Sequence, residues 1–235
     1  MFLQENKDEA YMDIDLWKKC RVSKVDFKGK DVVVAVDGSI SLDLTSVSIM
    51  YKEDGKYYCM SHGFLPKWNM EDRREKIDYY SMERQGYCDI HDSITINYTL
   101  LEEYIRNIED KHNCRIKTIV SDPFNLNQTM ESLAMDYDVV LLKQTFTNLT
   151  VATKGFRDEA YNENVYYQKN ELLDWCVSNA TLNTGKSGDV MLAKDKAAKN
   201  RKRIDMLATL IFCMTELFIE EEGYDPMEAL ENTDW

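Results

Sequence analysis

No two cysteines in this sequence form a Cys-x-x-Cys pair; Cys20, Cys59, Cys88, Cys114, Cys176 and Cys213 stand singly. That spacing excludes a zinc knuckle and a disulfide framework, and it reads as reduced thiols in a cytosolic chain. The three histidines, His62, His91 and His112, are equally isolated, which argues against a histidine-rich metal site. No run is apolar enough to cross a membrane: Met206–Phe218, the longest, is broken by Thr209, Thr215 and Glu216. The first residues, MFLQENKDEAYMDID, are polar and acidic and lack the pattern of a signal peptide. Basic residues are in deficit, 29 Lys and Arg against 42 Asp and Glu, for a net charge of −13. A generic basic nucleic-acid binder is thereby excluded unless its positive charge is concentrated locally. There is no internal repeat and no low-complexity segment.

What is present fits one α/β domain with a real core: 235 residues, 44% hydrophobic and 30% charged. The organising stretch is Asp31–Thr45, DVVVAVDGSISLDLT. An unbroken β-branched run, Val32–Val36, reads as a strand buried on both faces, and it ends at Asp37 where the chain turns. Ser46–Tyr51 alternates as a second strand. The sequence Glu53-Asp54-Gly55-Lys56 signals a hairpin, and Tyr57–Leu65 returns antiparallel, giving a three-strand meander. Further on, the patterning predicts a charged helix over Met70–Gln85, whose EDRREK run reads as a solvated face. A second helix spans Tyr98–Lys111. The strand Ile116–Val120 is closed by Asp122 and Pro123. A helix over Leu126–Met135 and a strand over Val139–Leu142 complete a parallel strand–helix–strand unit. Helices over Leu149–Tyr161 and Glu171–Ala180, a loop over Thr181–Asp189 with a short strand or hairpin at Val190–Ala193, and a long helix over about Asn200–Glu222 follow. Residues 1–30 read as an arm or linker from an upstream domain, 31–222 as the folded domain, and 223–235 as an acidic C-terminal tail.

Two strand ends and one helix start each deliver an aspartate: Asp37, Asp122 and Asp205. Three neighbouring carboxylates repel one another unless cations neutralise them. Two divalent ions about 3.5–4 Å apart would do so and would support phosphodiester hydrolysis, one activating water and the other stabilising the leaving 3′ oxygen. Oxygen-only ligands favour Mg²⁺ or Mn²⁺ over zinc. Asp43 offers either a fourth carboxylate or a hydrogen bond that holds the loop. Just before Asp205, the residues Lys194, Lys196, Lys199, Arg201, Lys202 and Arg203 carry one acid, Asp195, among them. At the start of a helix such a cluster opposes the dipole, so contact with a nucleic-acid backbone explains it better than solvation does. The segment Ala180–Ser187, ATLNTGKS, nearly matches a phosphate-binding loop. It follows helical rather than strand patterning, however, and Gly188-Asp189 breaks any helix after it, so an ATP site is rejected.

The ordered motifs resemble those of the large terminase subunits of tailed bacteriophages. VAVDGSISLDLTSVSIM resembles that family's first-strand motif, in which a metal-binding acid precedes Asp-Leu-Thr. SDPFN resembles its second acidic motif, and LLDWCVSNATL with KNRKRIDMLATLIF resembles its C-terminal pair. The segment around Trp17 is similar to the linker ahead of the family's nuclease domain. The resemblance implies an RNase H-like mixed sheet, a three-strand antiparallel meander plus parallel strands, flanked by helices. It implies that Asp37, Asp122 and Asp205 bind two Mg²⁺ or Mn²⁺ ions, with Asp43 in support, and that the substrate is concatemeric double-stranded viral DNA cut during packaging. It also implies an upstream ATPase domain, a portal and a small terminase subunit as partners, and the host cytoplasm as location, with no membrane contact. The readings that compete with it are another RNase H-like nuclease, a junction resolvase or recombinase, and a non-catalytic docking module for a portal or partner subunit.

Overall fold

A computed structural model describes residues 10–39, 44–68, 70, 75, 77–124, 126–185, 187–194 and 202–222. Its centre is a mixed sheet. Strand β2 (Asp31–Asp37) pairs antiparallel with β3 (Thr45–Glu53), and β3 pairs antiparallel with β4 (Lys56–Pro66), so the expected meander forms. The β3–β4 turn has Asp54 at φ 50° and Gly55 at φ 74°, the left-handed pair that a two-residue hairpin requires. On its other side β2 pairs parallel with β6 (Arg115–Ser121), and β6 with β7 (Val139–Leu141). The long β4 has two parallel neighbours on its free edge: β8 (Val165–Gln168) along its first half and β5 (Cys88–His91) along its last. The two-residue β1 (Arg21–Val22) extends β8, giving the order β1-β8-β4-β3-β2-β6-β7 with β5 beside β4. A separate antiparallel hairpin joins β9 (Ala180–Thr184) to β10 (Val190–Lys194).

Alternate residues of β2 enter two different cores, which is why its apolar run is unbroken. Val33 and Ala35 join one cluster with α6 (Phe146–Tyr161), α7 (Glu171–Asn179) and α8 (Asp205–Glu222). Val32, Val34 and Val36 join the other, with residues of α3 (Tyr98–Arg106), α4 (Ile108–His112) and α5 (Asn127–Leu133). Helix α8 lies directly against β2 and β3. The close approach is made by small polar side chains: the Thr209 hydroxyl lies 3.2 Å from Ser46 Oγ and 2.6 Å from Ser48 Oγ, and Ser48 Oγ lies 2.6 Å from Ser61 Oγ. All four are buried, and their hydroxyls satisfy one another. The six cysteines are free thiols, and all but the half-buried Cys114 are buried.

Several expectations are revised. The helix expected over Met70–Gln85 is only α2 (Tyr79–Arg84); Met70, Glu75 and Ile77 are not helical, and Glu75 is buried rather than part of a solvated face. The helix expected over Tyr98–Lys111 is divided at Asn107, whose backbone caps α3 before α4 begins. The start of the Thr181–Asp189 loop, up to Thr184, belongs to strand β9, which pairs with β10, so the near phosphate-loop motif lies in a hairpin and does not open a helix. Lys186, like the tail 223–235, lies outside the described residues. The last helix starts at Asp205, not near Asn200.

From Ala10 onward the segment read as an arm packs into the same cores. In α1 (Ile14–Lys19) Trp17 is fully buried, stacks on Tyr167 with ring centroids 4.1 Å apart, and donates from Nε1 to Asp174 Oδ1 at 3.0 Å. Asp174 also accepts from the Tyr167 hydroxyl at 2.6 Å and pairs with Arg21. Trp17→Ala is therefore expected to cost about 3–5 kcal/mol, measured by urea unfolding followed by circular dichroism. A cost near zero would mean that the arm contributes nothing to the fold.

Candidate metal centre

Asp37 is the last residue of β2, Asp122 follows the end of β6 beside it, and Asp205 opens α8 where that helix meets the sheet. The parallel β2–β6 pairing puts the first two acids at the same end of the sheet. Asp122 and Asp205 are buried. Burial first, then the Asp205 and Asp122 charges, against the pull of Lys194, raise the Asp37 carboxyl to about 8. Asp122 Oδ1 accepts the Phe124 N–H at 2.8 Å in a tight turn. One oxygen of Asp205, Oδ1, lies 3.7 Å from Lys194 Nζ. The other, Oδ2, is buried and makes no hydrogen bond among the described residues.

The support beneath these acids is specific. Thr209 lies one helical turn beyond Asp205, and Ser46, which it touches, is the cross-strand partner of Asp37. Those hydroxyls set the height of α8 over the sheet and so the approach of Asp205 to Asp37. Ahead of the helix, Arg203 donates from Nε and Nη2 to Glu75 Oε1 at 2.7 and 2.6 Å, with both side chains almost wholly buried. Asn179 Nδ2 donates to the Arg203 carbonyl at 3.1 Å. Next to Asp37, a Cβ on Gly38 would strike the Leu126 side chain at 2.5 Å, so only glycine lets the turn lie down there.

The chain matches, over residues 1–221, the family model described as terminase large subunit, endonuclease domain. It belongs to that family. The terminase large subunit of Lactococcus phage p2 is 24% identical over 206 residues, which is 83% of this chain and 37% of that protein. The chain thus spans little more than a third of the curated relatives it matches. Among solved structures, the large terminase of bacteriophage HK97 superposes with a TM-score of 0.77 at 19% identity, covering 88% of this chain and 43% of that one. The large terminase nuclease of thermophilic phage G20c with bound magnesium gives a TM-score of 0.53 at 8% identity, covering 89% and 98%. The mixed sheet with its flanking helices is therefore the RNase H-like arrangement of terminase nucleases.

In this terminase endonuclease domain the three aspartates chosen from sequence come together, while Asp43, Lys196, Lys199 and Arg201 lie outside the described residues. The basic cluster needs correction. Arg203 does not face solvent but pairs with Glu75 in the interior, two residues before α8 begins at Asp205. Lys202 is half-buried, and Lys194 is turned toward Asp205. Sequence reasoning missed Glu75, hidden in a charge run, and Thr209, whose four-residue spacing from Asp205 was the available signal.

Among the described residues no three His, Cys, Asp or Glu side chains form a ready-made metal cage. The donor set nevertheless suits a hard divalent cation: only carboxylate oxygens converge, one of them lacks a hydrogen bond, and Asp37 is held against ionisation by its neighbours.

Two outcomes follow for stability. Because the Asp37 carboxyl is raised, the folded state holds a proton that the unfolded state has already lost between about pH 4 and about pH 8. Stability of the metal-free protein must therefore fall as pH rises through that window, and Asp37→Asn escapes the fall. In chelator, the melting temperature of Asp37→Asn is expected to exceed wild type by about 5 °C at pH 8, with a smaller gap at pH 5. A constant gap would reject the assignment. For the buried pair, Arg203→Met is expected to cost about 3–5 kcal/mol, and adding Glu75→Met should recover most of it. The recovered double variant should still show a smaller Mn²⁺-induced rise in melting temperature than wild type, because the pair positions Asp205.

Proposed function

We propose that this domain is a metal-dependent endonuclease that cuts double-stranded DNA. The observation carrying this is the convergence of Asp37, Asp122 and Asp205 at one end of an RNase H-like sheet in a chain of the terminase endonuclease family. Asp37, Asp122 and Asp205 would together hold two ions, with Asp43 in support. Mg²⁺ or Mn²⁺ is the ion class the donors favour, and the magnesium- and cobalt-bound structures of the G20c nuclease support it. When bound, the ions supply an activated water for attack on phosphorus and charge neutralisation at the leaving 3′ oxygen.

The chain's own residues do the rest. Asp37 sits on a strand fixed by pairing on both sides, so its carboxyl cannot move away from its neighbours. Asp205 is held by the Arg203–Glu75 pair before it and by the Thr209 hydroxyl after it. Lys194 places positive charge beside Asp205, where a phosphodiester backbone must approach, and Lys196, Lys199, Arg201 and Lys202 belong to the same segment of sequence. By likeness to phage large terminases, the substrate is concatemeric viral DNA cut at the start and end of packaging in the host cytoplasm. On that reading the domain works within a longer chain that carries an ATPase, a portal and a small terminase subunit being its partners.

Supercoiled plasmid incubated with Mn²⁺ or Mg²⁺ tests the activity. Nicked and linear products are expected from wild type. Asp37→Asn, Asp122→Asn and Asp205→Asn should each lower the rate by about 100-fold or more, the order of loss when a group that stabilises transition-state charge is removed. Full activity in folded Asp37 and Asp205 variants would sink the assignment, and preferential cutting of branched DNA would favour a resolvase.

A further inference from the structure

The sheet end that holds the acids also carries a row of large apolar side chains that the fold leaves uncovered. Beyond β4 stands Trp68, 55% exposed; beyond β5, Ile94, 63%; beyond β6, Phe124, 73%; and at the end of β7, Leu141, 52%. Strands β2, β4, β5, β6 and β7 all finish at this edge, since β3 alone runs against them within the set. Large apolar side chains left exposed at one end of a sheet offer contact area to a ligand.

The two aromatic residues are firmly presented. The Phe124 N–H is tied to Asp122 Oδ1 at 2.8 Å, so the turn that places a candidate metal ligand also aims the phenyl ring outward. The Trp68 N–H donates to the Ser93 carbonyl at 3.2 Å, and the Lys67 N–H to the His91 carbonyl at 2.8 Å, which pins the chain beyond β4 to the chain beyond β5. In the strand order β4-β3-β2-β6, the strands that Trp68 and Phe124 follow are three spacings apart, about 14 Å, and β2, which ends in Asp37, lies between those strands. Trp68 stands five residues beyond Gly63, the β4 residue level with Asp37. Lysines stand among the acids at this end: Lys67 follows β4 and lies 4.0 Å from Asp92, Lys143 follows β7, and Lys194 ends β10 beside Asp205.

We propose that Phe124 and Trp68 grip DNA on the two sides of the phosphodiester held at Asp37, with Phe124 stacking on a base unpaired next to it. This rests on the DNA-cleaving reading above. Aromatic rings beside lysines bind nucleotides by stacking plus phosphate contact, without sequence preference. An apolar wedge between base steps distorts a duplex at a cost that is lower where pairing is already broken. A protein partner would make use of the same apolar area but would give no preference among DNA structures.

The test measures binding and cutting separately. Fluorescence anisotropy in Ca²⁺ compares a fully paired duplex with one carrying a short central mismatch. Wild type is expected to prefer the mismatched duplex, Phe124→Ala and Trp68→Ala to lose about ten-fold in affinity for it, Phe124→Trp to retain the preference and Phe124→Leu to lose it. In Mn²⁺, Phe124→Ala should slow plasmid nicking by about ten-fold or more, with an unchanged metal-induced rise in melting temperature. Equal behaviour of wild type and Phe124→Ala on both substrates overturns the proposal, as does full function in Phe124→Leu. A wild type that shows the Phe124-dependent preference yet cuts nothing supports the grip and counts against the cleavage reading alone.

Discussion

Like charge brought together under partial burial is the constraint on which the rest of this structure depends. Asp37, Asp122 and Asp205 come from three elements far apart in sequence, and each would be more stable apart from the others in water. The fold opposes that separation mechanically. Asp37 is fixed because β2 is paired on both edges and buried on both faces. Asp205 is fixed because α8 is seated on hydroxyls in place of bulky apolar side chains, and because the residues ahead of it are tied to Glu75 and Asn179. Lys194 supplies part of the missing positive charge. The arrangement is a strained electrostatic pocket held in place by ordinary packing.

Local features of the sequence revealed the parts of the fold that local chemistry decides. The run Val32–Val36 could only be a strand buried twice over, and Asp54-Gly55 could only be a tight turn, so the meander and the position of Asp37 were legible. Pro123 stopped the ladder beside Asp122 for a reason that a single residue carries. What escaped was set by distant partners. The run around Glu75 looks solvated because charge runs usually are, and nothing near it announces Arg203, 128 residues later. Strand β8 is four residues long and is defined by its register with β4, while β9 begins directly at the end of a helix. The aspartates were legible because each interrupts or ends an apolar pattern. Their support was not, because serine and threonine are unremarkable until a helix lies on them.

Charge is distributed unevenly, and the distribution matters more than the total. A chain of net charge −13 should be repelled by a polyanion at long range, yet Lys194 stands beside the acids at the sheet edge that also exposes Trp68 and Phe124. On the proposed reading cations would serve both needs there: lysines would attract the backbone, and divalent ions would make the carboxylates tolerable beside it. One end of the sheet would then carry both recognition and chemistry.

The cysteines have a practical consequence of another kind. Cys20, Cys59, Cys88, Cys176 and Cys213 are buried, and burial pushes every one of their thiols upward, Cys20 to about 11 and Cys88 to about 12. Since the thiolate is the reactive form, the native molecule is nearly silent toward thiol reagents. Half-buried Cys114, itself raised, is the native site with most access. A single cysteine placed on the surface would take a fluorophore or spin label selectively, so movements between the β9–β10 hairpin and α8 are open to distance measurement without first stripping the interior of sulfur.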